Sequence, residues 1–224
     1  MDLKIKDLVR FLNVPERTVL GWIREKKIPV YRIHHQYRFD RAEISEWALA
    51  SGIASTAELA ELTSGKTPVD IVNNIRAGGV FYHVAGTTVH EVLRNAVDIM
   101  PLPHGIDKAL VASQLIEREE LMPTAVGKGI AIPHPRRPVM TDIGNERCAI
   151  IFPEHPINFK ARDGIAVHVF FITLSANHNR HLEMLSRIAY LCRNEVFAGL
   201  LKNRASMGTI LSYIETAIKP GRAA

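Results

Sequence analysis

Gly127-Lys128-Gly129-Ile130-Ala131-Ile132-Pro133-His134-Pro135 is the stretch around which the chain is organised. A short apolar run leads to a histidine held between two prolines. The two glycines ahead of it let backbone N–H groups come close to an anion. A histidine so constrained is a candidate nucleophile that takes up a group and passes it on. Just upstream, Glu117-Arg118-Glu119 and Thr124 bring a guanidinium and a hydroxyl within the same segment of chain.

Outward from this stretch, hydrophobic periodicity alternates between helix and strand. Val80–Val84 reads as a strand, and Thr87 or Thr88 caps a helix in which Val89, Val92, Leu93, Ala96, Val97 and Met100 recur at helical spacing. Pro101-Leu102-Pro103 breaks it, and a second helix is predicted over about 107–120. Ile130-Ala131-Ile132, Ala149–Phe152 and Ala166–Ile172 read as buried strands, and a third helix is predicted from about His181 to Arg193. Such alternation defines an α/β layered domain.

The first fifty residues have a different pattern. Leu8, Phe11 and Leu12 share a face of one short helix, and Pro15 stands at the start of a second, about 16–26, with Val19, Leu20 and Ile23 inward. Two short helices joined by a tight turn form a helix-turn-helix. Tyr31–Ile33 and Tyr37–Phe39 follow as two alternating strands around a tip at His34-His35-Gln36. Asp40-x-x-Glu43 then opens a third helix as a capping box, with Ile44 and Trp47 packing back. This segment holds ten Lys/Arg against seven Asp/Glu, part of a net charge of +5 for the 224 residues. That balance permits nucleic-acid binding.

Several function classes are excluded or left without support. No apolar run reaches the roughly 18 residues of a membrane span, and the N-terminus has no signal-peptide core, so a cytoplasmic protein is expected. Cys148 and Cys192 fall in apolar patterns and read as two buried thiols. Gly65-Lys66-Thr67 resembles the tail of a P-loop, but Ala60 stands where the motif needs glycine and no strand precedes it, so no ATP site is predicted. His178 lies near His181, yet no carboxylate or cysteine stands at a supporting spacing, and neither metal nor cofactor is implied. His168 reads as a strand histidine of the core.

Two family resemblances organise these readings. Residues 3–50 resemble the winged helix-turn-helix of the excisionase and MerR-like families, through Leu8…Leu12-x-Val14, Arg17-Thr18-Val19, Trp22-Ile23, Ile28-Pro29, Tyr37-Arg38-Phe39 and Trp47. The resemblance implies DNA contacts from Arg17, Thr18, Arg24, His35 and Arg38. Pro15 replaces the serine cap frequent in that family. The rest of the chain resembles enzyme IIA of the bacterial phosphoenolpyruvate-dependent sugar phosphotransferase system, of the mannitol, fructose and nitrogen-regulatory type. The matching residues are Arg118-Glu119, Thr124, Gly127-x-Gly129-Ile130-Ala131-Ile132-Pro133-His134, Pro156-Ile157 with Phe159, Asp163-Gly164 and His181-Leu182-x-x-Leu185-Ser186. Departures fall at Leu121-Met122-Pro123, where small residues are common, at Ala125-Val126, and at Pro135-Arg136-Arg137-Pro138 after the histidine.

The expected architecture is therefore a winged helix-turn-helix domain at 1–51, a linker at 52–66, and at 67–224 an α/β enzyme IIA type-2 domain with a mixed sheet flanked by helices. By resemblance, His134 is the phosphoacceptor and His181 the second active-site histidine that steadies the phosphate, with Arg118 and Thr124 as donors and Gly127 and Gly129 as a phosphate-cradling loop. The implied partners are DNA and a histidine-containing phosphocarrier protein. A downstream IIB component or a regulatory target is a further partner, and membrane insertion is not expected. The leading expectation is a phosphorylation-responsive DNA-binding regulator. The alternative is a phosphocarrier that serves a separate IIB sugar-transport component, its N-terminal unit a protein-interaction module. Oligomeric state stays open, a homodimer being one arrangement because helix-turn-helix proteins often read two half-sites as dimers.

Overall fold

A computed structural model describes residues 2–33, 36–51, 53 and 67–218. His35 and nearly all of the expected linker, with Gly65 and Lys66, lie outside the described residues.

The N-terminal unit runs β1 (Asp2–Leu3), α1 (Ile5–Leu12), α2 (Glu16–Arg24), β2 (Tyr31–Ile33), β3 (Gln36–Asp40) and α3 (Arg41–Ala50). Asn13 ends α1 in the left-handed region at φ 50°, a conformation asparagine tolerates better than most residues. Pro15 takes the N-cap position of α2 and offers no side-chain cap, so this helix starts on backbone geometry alone. It stops two residues short of the predicted end, where Lys26 turns to φ 52°. β2 and β3 form the predicted antiparallel hairpin, with Tyr31 opposite Arg38. β1 adds a short third strand on the far side of β3. The Asp40 carboxylate accepts the Glu43 N–H at 3.2 Å, which starts α3 as the sequence predicts. Leu8, Leu12, Val19, Ile28, Phe39, Ile44, Trp47 and Ala48 make the core of this unit. Met122, from far down the chain, packs against the same core.

The larger unit contains α4 (Ile71–Gly78), β4 (Val80–Val84), α5 (Val89–Ile99), α6 (Lys108–Leu121), β5 (Ala125–Gly127), β6 (Ile130–Ala131), β7 (Arg147–Pro153), β8 (Val169–Leu174), α7 (His178–Arg193), α8 (Glu195–Lys202) and α9 (Met207–Ile218). The sheet order is β4-β7-β8-β6-β5. β4 with β7 and β6 with β8 are parallel, whereas β7 with β8 and β5 with β6 are antiparallel, giving the mixed sheet expected. Both faces are covered, so β7 and β8 read as continuous apolar runs. Strand alternation still sorts their side chains. Cys148, Ile150, Phe152, Val169 and Phe171 pack with α4, α7, α8 and α9. Ala149, Ile151, Phe170, Ile172 and Leu174 pack with α5 and α6.

Capping fixes the helices that carry the site. Thr88 and Glu91 form a reciprocal capping box on α5, and Asp107 caps α6. Asn177 caps α7 by accepting the Arg180 N–H at 3.1 Å. The α7 helix thus begins at His178, three residues before the predicted start, and His181 is already inside the first turn with its N–H bonded to the Asn177 carbonyl. No described helix is long and apolar enough to cross a membrane.

Candidate active site

His134 lies just beyond the end of β6, and backbone hydrogen bonds hold its approach. The Ile132 N–H donates to the Thr124 carbonyl, and the Thr173 N–H donates to the Pro133 carbonyl. Pro133 fixes φ between them. The histidine is 3 % exposed, and its Nδ1 lies 2.8 Å from the Ile132 carbonyl. Since a carbonyl only accepts, Nδ1 carries the proton and Nε2 is the atom left for chemistry. The ring of His181 sits with its centroid 4.6 Å from that of His134.

The Nε2 atoms of the two imidazoles are bridged by a side chain from the other unit. Glu46 of α3 places Oε2 2.9 Å from His134 Nε2 and Oε1 2.9 Å from His181 Nε2. Arg118, in the last turn of α6, donates to Glu46 Oε2 at 3.0 Å and to the Met122 carbonyl at 2.9 Å. The Arg118 Nε is buried and lacks a hydrogen-bond partner among the described residues. Burial pushes the Glu46 carboxyl up, but the charge and hydrogen bond of His134 and the hydrogen bond of His181 outweigh it and hold the group well below the usual carboxylate range. Burial also pulls His181 down, which favours a neutral ring that donates its Nε2–H to Glu46.

Around this centre the two units are joined by more polar contacts. Arg136 pairs with Glu43 at 2.9 Å, donates to the Tyr31 hydroxyl at 2.7 Å and lies over the Tyr31 ring. The Tyr31 hydroxyl in turn donates to Glu43, and burial together with that carboxylate pushes its pKa up to about 12. Arg162 donates to the Ser51 hydroxyl at 3.0 Å and to the Lys27 carbonyl at 2.8 Å. Met122 and Arg136 are two of the positions that depart from the enzyme IIA pattern, and both bear on the N-terminal unit.

The other expected site residues divide. Thr124 lines the same cavity as His134, Arg118, Glu46 and Trp47, but its hydroxyl donates to Glu119. Burial raises the Glu119 carboxyl, against the Thr124 hydrogen bonds that lower it. Gly127 and Gly129 lie at φ 93° and 72° in the β5–β6 turn. That turn is anchored by the Lys128 N–H donating to Asp163 at 2.7 Å. A Cβ on Gly129 would come 2.3 Å from His168 Nδ1. These glycines therefore serve a tight turn packed on His168, and they do not line the cavity beside His134. On the N-terminal unit, Arg17 and Arg24 are exposed on α2, and Thr18 is half-buried. Arg38 donates to the Gln36 side chain at 2.7 Å on the hairpin.

Glu46, His134 and His181 put their ligand atoms within 4.8 Å of one another, a spacing that suits a divalent cation. Arg118, however, already sets a fixed positive charge on the shared carboxylate, and this favours an anion at the same point.

Sequence reading missed Glu46 altogether. The sequence assigns Ile44 and Trp47 to the core and Glu43 to a capping box, yet Glu43 and Glu46 are both more than nine-tenths buried. The available sign was indirect, in the apolar and cationic departures at Met122 and Arg136 that flank the active-site segment.

A buried histidine pair and an arginine thus meet on a mixed α/β domain that is joined to a helix-turn-helix. Residues 73–217 match the family model of the phosphoenolpyruvate-dependent sugar phosphotransferase system, EIIA 2, and residues 3–51 match a helix-turn-helix domain. The chain belongs to the EIIA 2 family. It is 35% identical over 122 residues to a nitrogen regulatory protein of Bradyrhizobium diazoefficiens, covering 54% of this chain and 76% of that protein. A nitrogen regulatory protein of Pseudomonas aeruginosa is 32% identical over 116 residues, 50% of this chain and 73% of that one. Among solved structures, the nitrogen regulatory protein IIA-Ntr of Neisseria meningitidis superposes with a TM-score of 0.55 at 25% identity, over 64% of this chain and 98% of that chain.

Proposed function

We propose that this chain is a phosphorylation-responsive DNA-binding regulator whose His134 accepts a phosphoryl group from a phosphohistidine carrier. The observation that carries the reading is the Nδ1 contact to the Ile132 carbonyl at 2.8 Å, which leaves Nε2 facing the Glu46 carboxylate that His181 and Arg118 also hold. In the transfer, the Nε2 lone pair attacks phosphorus in line, the P–N bond of the donor breaks, and its electron pair returns to the donor imidazole. Arg118 and the His181 Nε2–H then neutralise the oxygens of the new phosphohistidine. Arg17, Thr18, Arg24 and Arg38 would meet DNA, as α2 enters the major groove with the hairpin beside it. The contact between α3 and the phosphoacceptor favours a regulator over a freely turning carrier for a IIB component, because it ties the state of His134 to the helix-turn-helix.

The direct test incubates the protein with phosphoenolpyruvate, the first enzyme of the system and its histidine carrier. An acid-labile label is expected on the wild type and on no His134→Ala protein. A label that survives His134→Ala refutes the assignment. For DNA, the full chain is used to select a duplex from a random pool, and affinity is measured across salt concentrations. Binding weakens as salt rises, and Arg17→Ala costs about 1–3 kcal/mol, or about 5–150-fold. Unchanged affinity in that variant would remove α2 from the interface.

A further inference from the structure

The residues of the site are arranged around a carboxylate, and that carboxylate belongs to the helix-turn-helix. Glu46 meets both histidines and Arg118, the three groups an incoming phosphoryl group would meet, with His134 Nε2 as nucleophile and His181 and Arg118 as donors to its oxygens. Among the described residues the Arg118 Nε is left buried without a partner, as fits a site with one more donor than a two-oxygen ligand engages. The flanking contacts of Arg136 with Glu43 and Tyr31, of Arg162 with Ser51 and Lys27, and of Met122 with the N-terminal core hold α3 in place.

We infer that Glu46 is an internal stand-in for the phosphoryl group, so that docking of α3 and phosphorylation of His134 are mutually exclusive states of one switch. The inference rests on His134 being the phosphoacceptor. The docked state blocks transfer in two ways. Glu46 occupies the position of the attacked phosphorus. In addition, with Nδ1–H bonded to Ile132 and Glu46 ionised, the contact at Nε2 requires an Nε2–H donating to the carboxylate, and a protonated nitrogen has no lone pair to attack with. Before transfer, Glu46 withdraws and that proton passes to solvent. Nε2 then forms the new P–N bond, and the donor imidazole keeps the electron pair of the bond that breaks. Once formed, the phosphohistidine carries close to two negative charges, and a buried carboxylate cannot return beside it. Phosphorylation therefore frees the helix-turn-helix from the catalytic face. Arg17 and Arg24 are exposed in the docked state, so docking alters how the reading head is held and not whether its arginines can be reached.

The protein carries its own reporter. Both tryptophans of the chain, Trp22 and Trp47, belong to the N-terminal unit, and Trp47 is buried and lines the cavity next to His134. Full-length wild type, Glu46→Gln and Arg136→Ala are labelled from phosphoenolpyruvate through the first enzyme and the histidine carrier, with initial rates and tryptophan emission recorded. Arg136→Ala loosens the rim without touching His134 and serves if Glu46→Gln folds poorly. A docked state that is mainly populated slows transfer in proportion to its population. Both variants should then label at least about tenfold faster than wild type. Wild-type emission should move to longer wavelength on phosphorylation, and the unphosphorylated variants should already show the shift. Equal rates in all three proteins with no emission change on labelling would overturn the switch and leave His134 as phosphoacceptor. No label on His134 in any protein would overturn the phosphoacceptor reading and the switch with it. Release of wild-type α3 by a chelator alone would overturn it as well, in favour of a cation held by Glu46, His134 and His181.

Discussion

Arg118→Ala is expected to lower the rate of phosphoryl uptake by about 10²–10³-fold once the competing contact of Glu46 is removed. Two effects oppose each other in this variant. The guanidinium is one of the donors that would meet charge on the phosphoryl oxygens, and losing such a preorganised donor costs about 2.7–4 kcal/mol of transition-state stabilisation. The same guanidinium also holds Glu46 Oε2 at 3.0 Å, so its loss loosens the docked state and speeds access. In the wild-type background the variant should therefore fall by less, about tenfold to a hundredfold, which is the donor loss offset by about tenfold from undocking. In the Glu46→Gln background the full loss should emerge. Single-turnover labelling of the four proteins separates the two effects. Arg118→Lys should recover only part of the rate, since an ammonium keeps the charge and loses the fork. If Arg118→Ala labels as fast as its parent in the Glu46→Gln background, the guanidinium does not act on the phosphoryl group.

Much of this is legible in the sequence, for identifiable reasons. β7 and β8 announce themselves because burial on both sides of a sheet demands continuous apolar strands, and α5 and α6 because Thr88 and Asp107 are explicit caps. α4, α8 and α9 have no counterpart in the sequence reading, although Asp70 and Asn194 cap the first two. His134, Arg118 and His181 were legible as a motif, and they do gather at one point. Thr124 lines the same cavity, with its hydroxyl serving Glu119. Gly127 and Gly129, expected to form a phosphate-cradling loop, have positive φ in the β5–β6 turn. The harder miss was Glu46, because a carboxylate on a helix face looks the same in sequence whether it meets water or two histidines. Its partners are 72, 88 and 135 residues away, and no local pattern can report a contact made between modules.

Replacing Glu146 with alanine should destabilise the larger unit by about 3–5 kcal/mol, the usual cost of leaving one partner of a buried ion pair alone. Glu146 is 1% exposed and accepts two hydrogen bonds at 2.7 Å from Arg180, with a third from the Ala176 N–H at 3.1 Å. Arg180 also donates to the Thr67 carbonyl at 2.7 Å, so it ties the start of the larger unit to the first turn of α7. For a chain of this length each kcal/mol moves Tm by about 2–4 °C, and a fall of about 6–20 °C is expected in a thermal melt. The damage should be concentrated at α7, whose first turn holds His181 one residue beyond Arg180. Exchange of the amides from His178 to Leu182 should quicken more than exchange in β7 and β8, and phosphoryl uptake should fall on warming before the sheet melts. The Arg180→Met, Glu146→Met double variant separates charge from packing: buried pairs replaced by apolar groups of similar volume are often neutral or stabilising, so it should melt above Glu146→Ala. A Glu146→Ala protein whose melt stays within about 2 °C of wild type would mean that water reaches the abandoned guanidinium. His181 would then be held by the Asn177 cap and the packing of Leu182 and Leu185, without help from this pair.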